Sequence, residues 1–156
     1  MTQSINLNQF NIEDVNARIL NPDKGFRFEC KANTSIEAGQ AVKLVAVAGA
    51  SVPVVTPVTA KSDIPFGIVA YEPAKKNTYV AGDMVTVAGD YSIVKITTSS
   101  ALNAGAAVVY DTTAGKAVDA ADEGEAILGH ALTNAVKDGF AKILVKVGDV
   151  VPTSST

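Results

Sequence analysis

Few side chains in this 156-residue chain are equipped for chemistry, and their surroundings limit what they can do. The chain has one cysteine, Cys30, and one histidine, His130. A nucleophilic thiol needs a base or a positive charge beside it to hold the thiolate. Cys30 instead sits in Phe26-Arg27-Phe28-Glu29-Cys30-Lys31, an alternation that puts Phe26, Phe28 and Cys30 on one buried face. His130 lies inside the apolar run from Ala126 to Leu132, with no Ser, Cys or second His in a motif near it, and reads as a structural histidine. One Cys and one His exclude an intrachain disulfide and a zinc site of the usual ligands. Asp119, Asp122, Glu123 and Glu125 form a dense acidic cluster. Such carboxylates can hold Ca²⁺, but the alternating Asp/Asn ligands and closing Glu of a calcium loop are missing, so a solvated loop is expected. The Ala-Gly pairs at 38–39, 81–82 and 104–105 precede no Gly-Lys-Ser/Thr and open no helix, so they are turns rather than phosphate cradles. Lys75 and Lys76, after Pro73, form an exposed basic pair open to an acidic partner surface. No titratable groups converge as an enzyme requires, and no catalytic residue, metal or cofactor is expected.

The elements that carry these residues repeat. Glu37-Ala38-Gly39-Gln40-Ala41-Val42, Val80-Ala81-Gly82-Asp83-Met84-Val85 and Asn103-Ala104-Gly105-Ala106-Ala107-Val108 each place Ala-Gly three residues before a Val that opens an apolar strand. Ile64-Pro65-Phe66-Gly67-Ile68-Val69-Ala70 and Ala126-Ile127-Leu128-Gly129-His130-Ala131-Leu132 both centre a Gly in a short apolar run. These phrases predict a β-rich unit of roughly 45 residues, loosely duplicated. Strands are expected at 41–47, 51–59, 67–71, 84–87, 91–97, 104–110, 117–119, 126–133 and 140–147, with Pro53 and Pro57 pushing the second to a sheet edge or out of the sheet. The reading is all-β: a small barrel or sandwich, with small and β-branched residues in a thin core. A chain of this length can bury a core without staples.

The ends differ from this body. Residues 1–24 scatter five asparagines among Ile5, Leu7, Phe10, Ile12, Val15, Ile19 and Leu20. They read as an extended arm with at most one short helix, capped by Asn11, carrying Glu13 and Asp14 early and Arg18 late, and ended by Asn21-Pro22. The arm's apolar side chains are too sparse for a core of their own but can dock on a groove. Residues 148–156 form a Ser/Thr tail that cannot fold alone. The division expected is arm 1–24, β-domain 25–147 and tail 148–156. A net charge of -3 offers no basic stripe, so nucleic acid is an unexpected partner. No signal peptide and no unbroken apolar stretch long enough to span a bilayer is evident, which points to a protein made in a cytoplasm and away from membranes. The sequon at Asn33 is then idle.

Three phrases carry a resemblance: Ala81-Gly82-Asp83-Met84-Val85-Thr86-Val87; Ala104-Gly105-Ala106-Ala107-Val108-Val109-Tyr110-Asp111-Thr112-Thr113-Ala114-Gly115-Lys116; and Ile127-Leu128-Gly129-His130-Ala131-Leu132 with the closing strand Lys142 to Lys146. Over roughly residues 38–147 the chain resembles the capsid cement, or decoration, proteins of tailed bacteriophages. That resemblance implies a non-enzymatic virion protein on the outer surface of an icosahedral shell. It would bind the major capsid protein where capsomers meet, commonly as a homotrimer, and reinforce the shell. Arm residues Ile5, Leu7, Phe10, Ile12, Val15 and Ile19, together with Lys75 and Lys76, are the expected capsid or inter-subunit contacts. A competing class is an adhesive or receptor-binding β-module, though a sugar binder should expose aromatic rings, and this chain has no Trp and only four Tyr.

Overall fold

The structure, a computed structural model, describes residues 15–120 and 122–154. It is all-β among these residues: β1 (Arg18–Ile19), β2 (Arg27–Ala32), β3 (Ile36–Glu37), β4 (Ala41–Val45), β5 (Val54–Pro57), β6 (Gly67–Val69), β7 (Thr78–Tyr79), β8 (Met84–Ala88), β9 (Ile93–Thr97), β10 (Ala107–Asp111), β11 (Lys116–Asp119), β12 (Gly129–Ala131) and β13 (Phe140–Val145). Strands β2-β5-β4-β6-β8 close into a barrel, and the second sheet runs β1-β9-β13-β12-β10-β11.

The second sheet repeats the barrel strand for strand. Ala41 opposite Ile68 and Val42 opposite Gly67 in the first unit become Ala107 opposite His130 and Val108 opposite Gly129 in the second. Likewise, Ile68 opposite Ala88 and Val69 opposite Val87 become His130 opposite Leu144 and Ala131 opposite Ile143. The parallel closure of β2 on β5 at Ala32 and Val55 survives as one parallel bridge between Thr98 and Ala117. Even the small ladder Ile36 to Tyr79 has its counterpart in the bridge of Leu102 to Ala135. The duplication is therefore real but its unit is longer than expected, running from β2 to β8 and again from β9 to β13. The Ala-Gly phrase marks two turns in unit 1 and one in unit 2: Gly39 and Gly105 are equivalent, whereas Gly82 corresponds to Asp138, and all four adopt positive φ.

A narrow barrel leaves room only for small side chains. Cys30, Ala32, Val42, Val55, Val69, Val85 and Val87 fill the first. The core of the second, with Val94, Ile96, Val108, Leu128 and Ile143, is continuous with Ala41, Ile68 and Ala88 of the first unit. Since alternation turns these three away from their own barrel, unit 1 buries an outer face against unit 2. Lys61 of unit 1 ties in as well, with its carbonyl accepting from Ala126 N at 2.7 Å and its ammonium 3.2 Å from the buried Glu125 carboxylate. Gly67 and Gly129 occupy the same place in each unit, and an added Cβ would strike the carbonyl oxygen of Ala88 or Leu144.

Four local expectations are corrected, and the tail is found packed on the body. The helix does not extend over 15–19: Val15 lies outside regular structure, and Arg18 and Ile19 pair with Lys95 and Val94, while its start lies outside the described residues. The reason is the open edge of β9, whose amides need partners. Asn16 Oδ1 accepts from Thr97 N (3.0 Å), Asn21 Oδ1 accepts from Ile93 N (2.7 Å), and Ala17 N donates to Lys95 O (2.7 Å). Ala17 O in turn accepts from Tyr71 N, so residues 16–21 strap the two units together. The β5 strand is no edge. Pro53 precedes it and lends its carbonyl to Lys31, and Pro57 ends it beyond the stretch that β2 pairs, so neither missing N–H breaks a ladder. Phe26 is 57% exposed. Phe28 meets Phe66 at 4.7 Å between ring centroids and fills the space, leaving Phe26 stacked outside it at 6.4 Å. The tail is docked through Val150 opposite Ala126, Val151 bonding Gly124 and Glu125, and Ser154 bonding Glu123. The acidic loop is thus only partly solvated, with Glu125 buried.

Replacing Gly67 or Gly129 by Ala should cost about 2–4 kcal/mol, because backbone must move to admit the methyl group. Urea unfolding of the two variants checks this, with Gly124→Ala, where no atom lies within 4 Å but φ is positive, expected to cost less. A pH dependence follows from Asp63. Its carboxylate takes the Lys43 ammonium at 2.8 Å, Thr59 N at 2.9 Å and Ala60 N at 3.1 Å. Lys43 first, then the Thr59 amide, hold it down at about 2. A depressed carboxyl stabilises the fold above its unfolded value and loses that contribution as pH falls through the folded one. The penalty of Asp63→Asn should therefore be full above about pH 4 and fade toward pH 2 in the same unfolding assay.

Candidate docking surfaces

The residues singled out for chemistry are placed apart. Cys30 is fully buried within barrel 1, its Sγ facing the carbonyl of Phe28 at 3.8 Å. Burial, and then the charge of Glu29, push its thiol up to about 11, the opposite of what a nucleophile needs. His130 lies half-buried on β12 at the position that Ile68 holds in unit 1, with Ala107 and Leu144 across the strands. Among the described residues no three His, Cys, Asp or Glu side chains gather as a metal site.

The expected contact residues divide. Ile5, Leu7, Phe10 and Ile12 lie outside the described residues. Ile19 is half-buried and packs against the shared core. Val15 is half-buried and lines a groove of about 320 Å³ together with Arg18, Ile19, Arg27 and Tyr71. Lys75 is exposed but paired with Glu72 at 2.7 Å, and Lys76 is exposed beside it. Burial pushes the Glu72 carboxyl up, yet the Lys75 ammonium and the Thr86 hydroxyl outweigh it and hold the group below the usual range.

A surface that sequence reasoning missed lies at one end of barrel 1. The connection between β4 and β5, residues 46–53, contains no charged residue, whereas the matching connection in unit 2, residues 112–115, is a short turn. Val47, Ala48, Gly49 and Val52 face Ala81 and Gly82 across a cleft of about 400 Å³. Around it Leu44 is 55% exposed, Val47 45%, Val80 60% and Met84 40%. Single exposed apolar residues are ordinary, but an uncharged loop that exposes Val47 and Val52 over a cleft is a candidate interaction surface, with the exposed Lys31 also in the cleft's lining. The signal was present in the chain as an uncharged run between two strands. It was hidden because the run looked like more strand.

Two smaller surfaces are also apolar. Phe26 and Tyr91 lie 6.2 Å apart, and Tyr91, 55% exposed, holds a positive φ of 65°. On unit 2, Leu132 is exposed beside the half-buried Ala107, His130 and Leu144, the counterparts of the residues by which unit 1 docks.

No protein-family model and no curated protein matches the chain. In fold, the chain is similar to the crystal structure of the head fiber gp8.5 N base of bacteriophage phi29, with a TM-score of 0.54 and 16% sequence identity. The match covers 78% of this chain and 93% of that one. At this identity the likeness is one of fold.

Should Cys30 be a core residue, a thiol reagent will leave the native protein unlabelled at pH 8 and label it fully in urea. Rapid native labelling would show that the barrel opens at this site.

Proposed function

We propose that the chain is a non-enzymatic structural protein of a tailed-phage virion, and that it decorates the outer capsid surface and reinforces it. The single observation that carries the reading is the uncharged β4 to β5 connection with its exposed Val47 and Val52, set on a duplicated barrel whose fold is similar to that of a phage head fiber base. A reinforcing protein needs a rigid body and a dry contact, not reactive groups, and the tip offers the contact. In this reading the tip seats on the major capsid protein. Arm residues before Val15 add grip, and Lys75 and Lys76 meet acidic shell surface at the periphery. Self-association into a homotrimer draws support from unit 2, where among the described residues Leu132 is exposed and Ala107 and Leu144 are half-buried, while their counterparts Ala41 and Ala88 in unit 1 are fully buried.

A second reading, an adhesive or receptor-binding module of the virion, rests on one observation. Phe26 and Tyr91 present adjacent exposed rings, the feature whose expected lack counted against a sugar binder.

Co-sedimentation with purified capsids tests the first reading. Val47→Asp with Val52→Asp should lower capsid affinity at least ~30-fold, on the order of 2 kcal/mol, while circular dichroism stays that of the parent. Val136→Asp, on an exposed residue of unit 2, should bind as the parent does. Unchanged binding by the double variant would move attachment away from the tip.

A further inference from the structure

Two exposed apolar surfaces of unit 1 lie at opposite poles. The chain runs from Phe26, beside Tyr91, along β2 to Ala32, which lines the cleft with Val47 and Val52. Six strand steps separate the two surfaces by roughly 20 Å. A body seated on a partner by its tip therefore turns the rings of Phe26 and Tyr91 away from that partner.

The fold does not require these rings. Counting back from the equivalent parallel pairs, Ala32 with Val55 and Thr98 with Ala117, Phe26 corresponds to Ser92, a small and fully buried residue. The backbone bond is the same at both places, Gly89 N to Phe26 O in one unit and Val145 N to Ser92 O in the other. Tyr91 has a left-handed backbone, φ 65°, which is strained for a bulky side chain and suits Asn or Gly. Its amide donates to Val145 O and its carbonyl accepts from Asn21 Nδ2, so the backbone is fixed without help from the ring. Burial does not offset that strain, since both rings are largely exposed. They are nevertheless held firmly. Phe26 stacks on Phe28, which rests on Phe66, and a Cβ added at Gly89 would come within 2.8 Å of the Phe28 ring.

The size and surroundings of the pair decide its occupant. Two half-exposed aromatic side chains offer on the order of 200 Å², against about 800 Å² per partner in a stable protein interface. The adjoining Asp23, Lys24 and Lys146 are exposed and charged, so the apolar patch does not extend further. A net charge of -3 does not attract a nucleotide's phosphate. The face of a pyranose ring presents C–H groups that stack on aromatic rings, while its hydroxyls need polar groups at the edge. Asp90, whose Oδ1 accepts from Val147 N at 2.8 Å, supplies a carboxylate next to Tyr91. We propose that Phe26 and Tyr91 form a platform that stacks on a hexopyranose ring of a polysaccharide. The platform rests on the receptor-binding reading for its ligand class and leaves the tip free for the capsid.

The test is affinity electrophoresis of the full chain in native gels cast with dextran, laminarin, galactomannan or xanthan. At least one of these should retard the parent. Phe26→Ser, which installs the residue of unit 2, and Tyr91→Asn should each weaken that retardation at least ~10-fold in apparent Kd. Tyr91→Asn should also unfold at a higher urea concentration than the parent, because Asn tolerates the left-handed backbone. No retardation in any of the four gels overturns the proposal, as does undiminished retardation of either variant. A lower urea midpoint for Tyr91→Asn makes the ring structural and overturns it too. The two poles are separated by the reciprocal measurement. Val47→Asp with Val52→Asp should be retarded as the parent is, and both ring variants should co-sediment with capsids as the parent does. Loss of capsid binding by the ring variants would turn this pole toward the shell and overturn the platform. If the parent itself fails to bind capsids, the capsid reading falls while the gels still decide this one.

Discussion

Everything else in this molecule depends on the burial of one outer barrel face. Ala41, Ile68 and Ala88 point away from the interior that their strands enclose, yet all three are fully buried, because unit 2 and the strap lie over them. Without that contact, unit 1 would be a narrow barrel with a hydrophobic flank in water, and unit 2 a sheet whose ends meet at a single bridge. The strap makes the contact directional. Its Ala17 bonds Lys95 of one unit and Tyr71 of the other through its two backbone groups, in a left-handed conformation that a non-glycine residue adopts only when its surroundings demand it.

The two units are the same fold used for different purposes, and their substitutions show it. Where unit 1 needs a dry outer face it has Ile68 and Ala88; the equivalent positions of unit 2, which meet water in part, carry His130 and Leu144. His130 is thus explained by location rather than chemistry. The glycines at 67 and 129 did not diverge, because both face a carbonyl across the sheet and no side chain fits there. The β4 to β5 connection diverged most, and it carries the apolar tip.

Much of the architecture was legible in the chain. Alternation and turn residues located most strands to within a few residues, since a pleated strand imposes a period of two that short apolar runs display openly. The repeat showed through Gly39 and Gly105 and through Gly67 and Gly129, positions where backbone geometry permits little else. What escaped notice depended on contacts between distant segments. Asn11 to Ile19 has a helical pattern taken alone, and only the unpaired amides of β9 make its second half a strand. Phe26 alternates with Cys30, yet whether a barrel has room for it depends on Phe66. The docking tip was missed for the opposite reason: an apolar run has the same composition whether it is buried or not.

The strap has a mechanical side. The β1 bonds to β9 run across both strands, so tension drawn along the segment from Asn16 loads several hydrogen bonds in shear at once rather than peeling them one by one. Asn16 and Asn21 hold the two ends of that short run, and Tyr71 hands part of the load to the other unit. At the opposite end of the chain Val150 and Val151 are clasped to Glu125 and Ala126, next to the Lys61 link between the units. A pull applied to either terminus is therefore shared by both halves of the body, the behaviour of a clamp rather than of beads on a string.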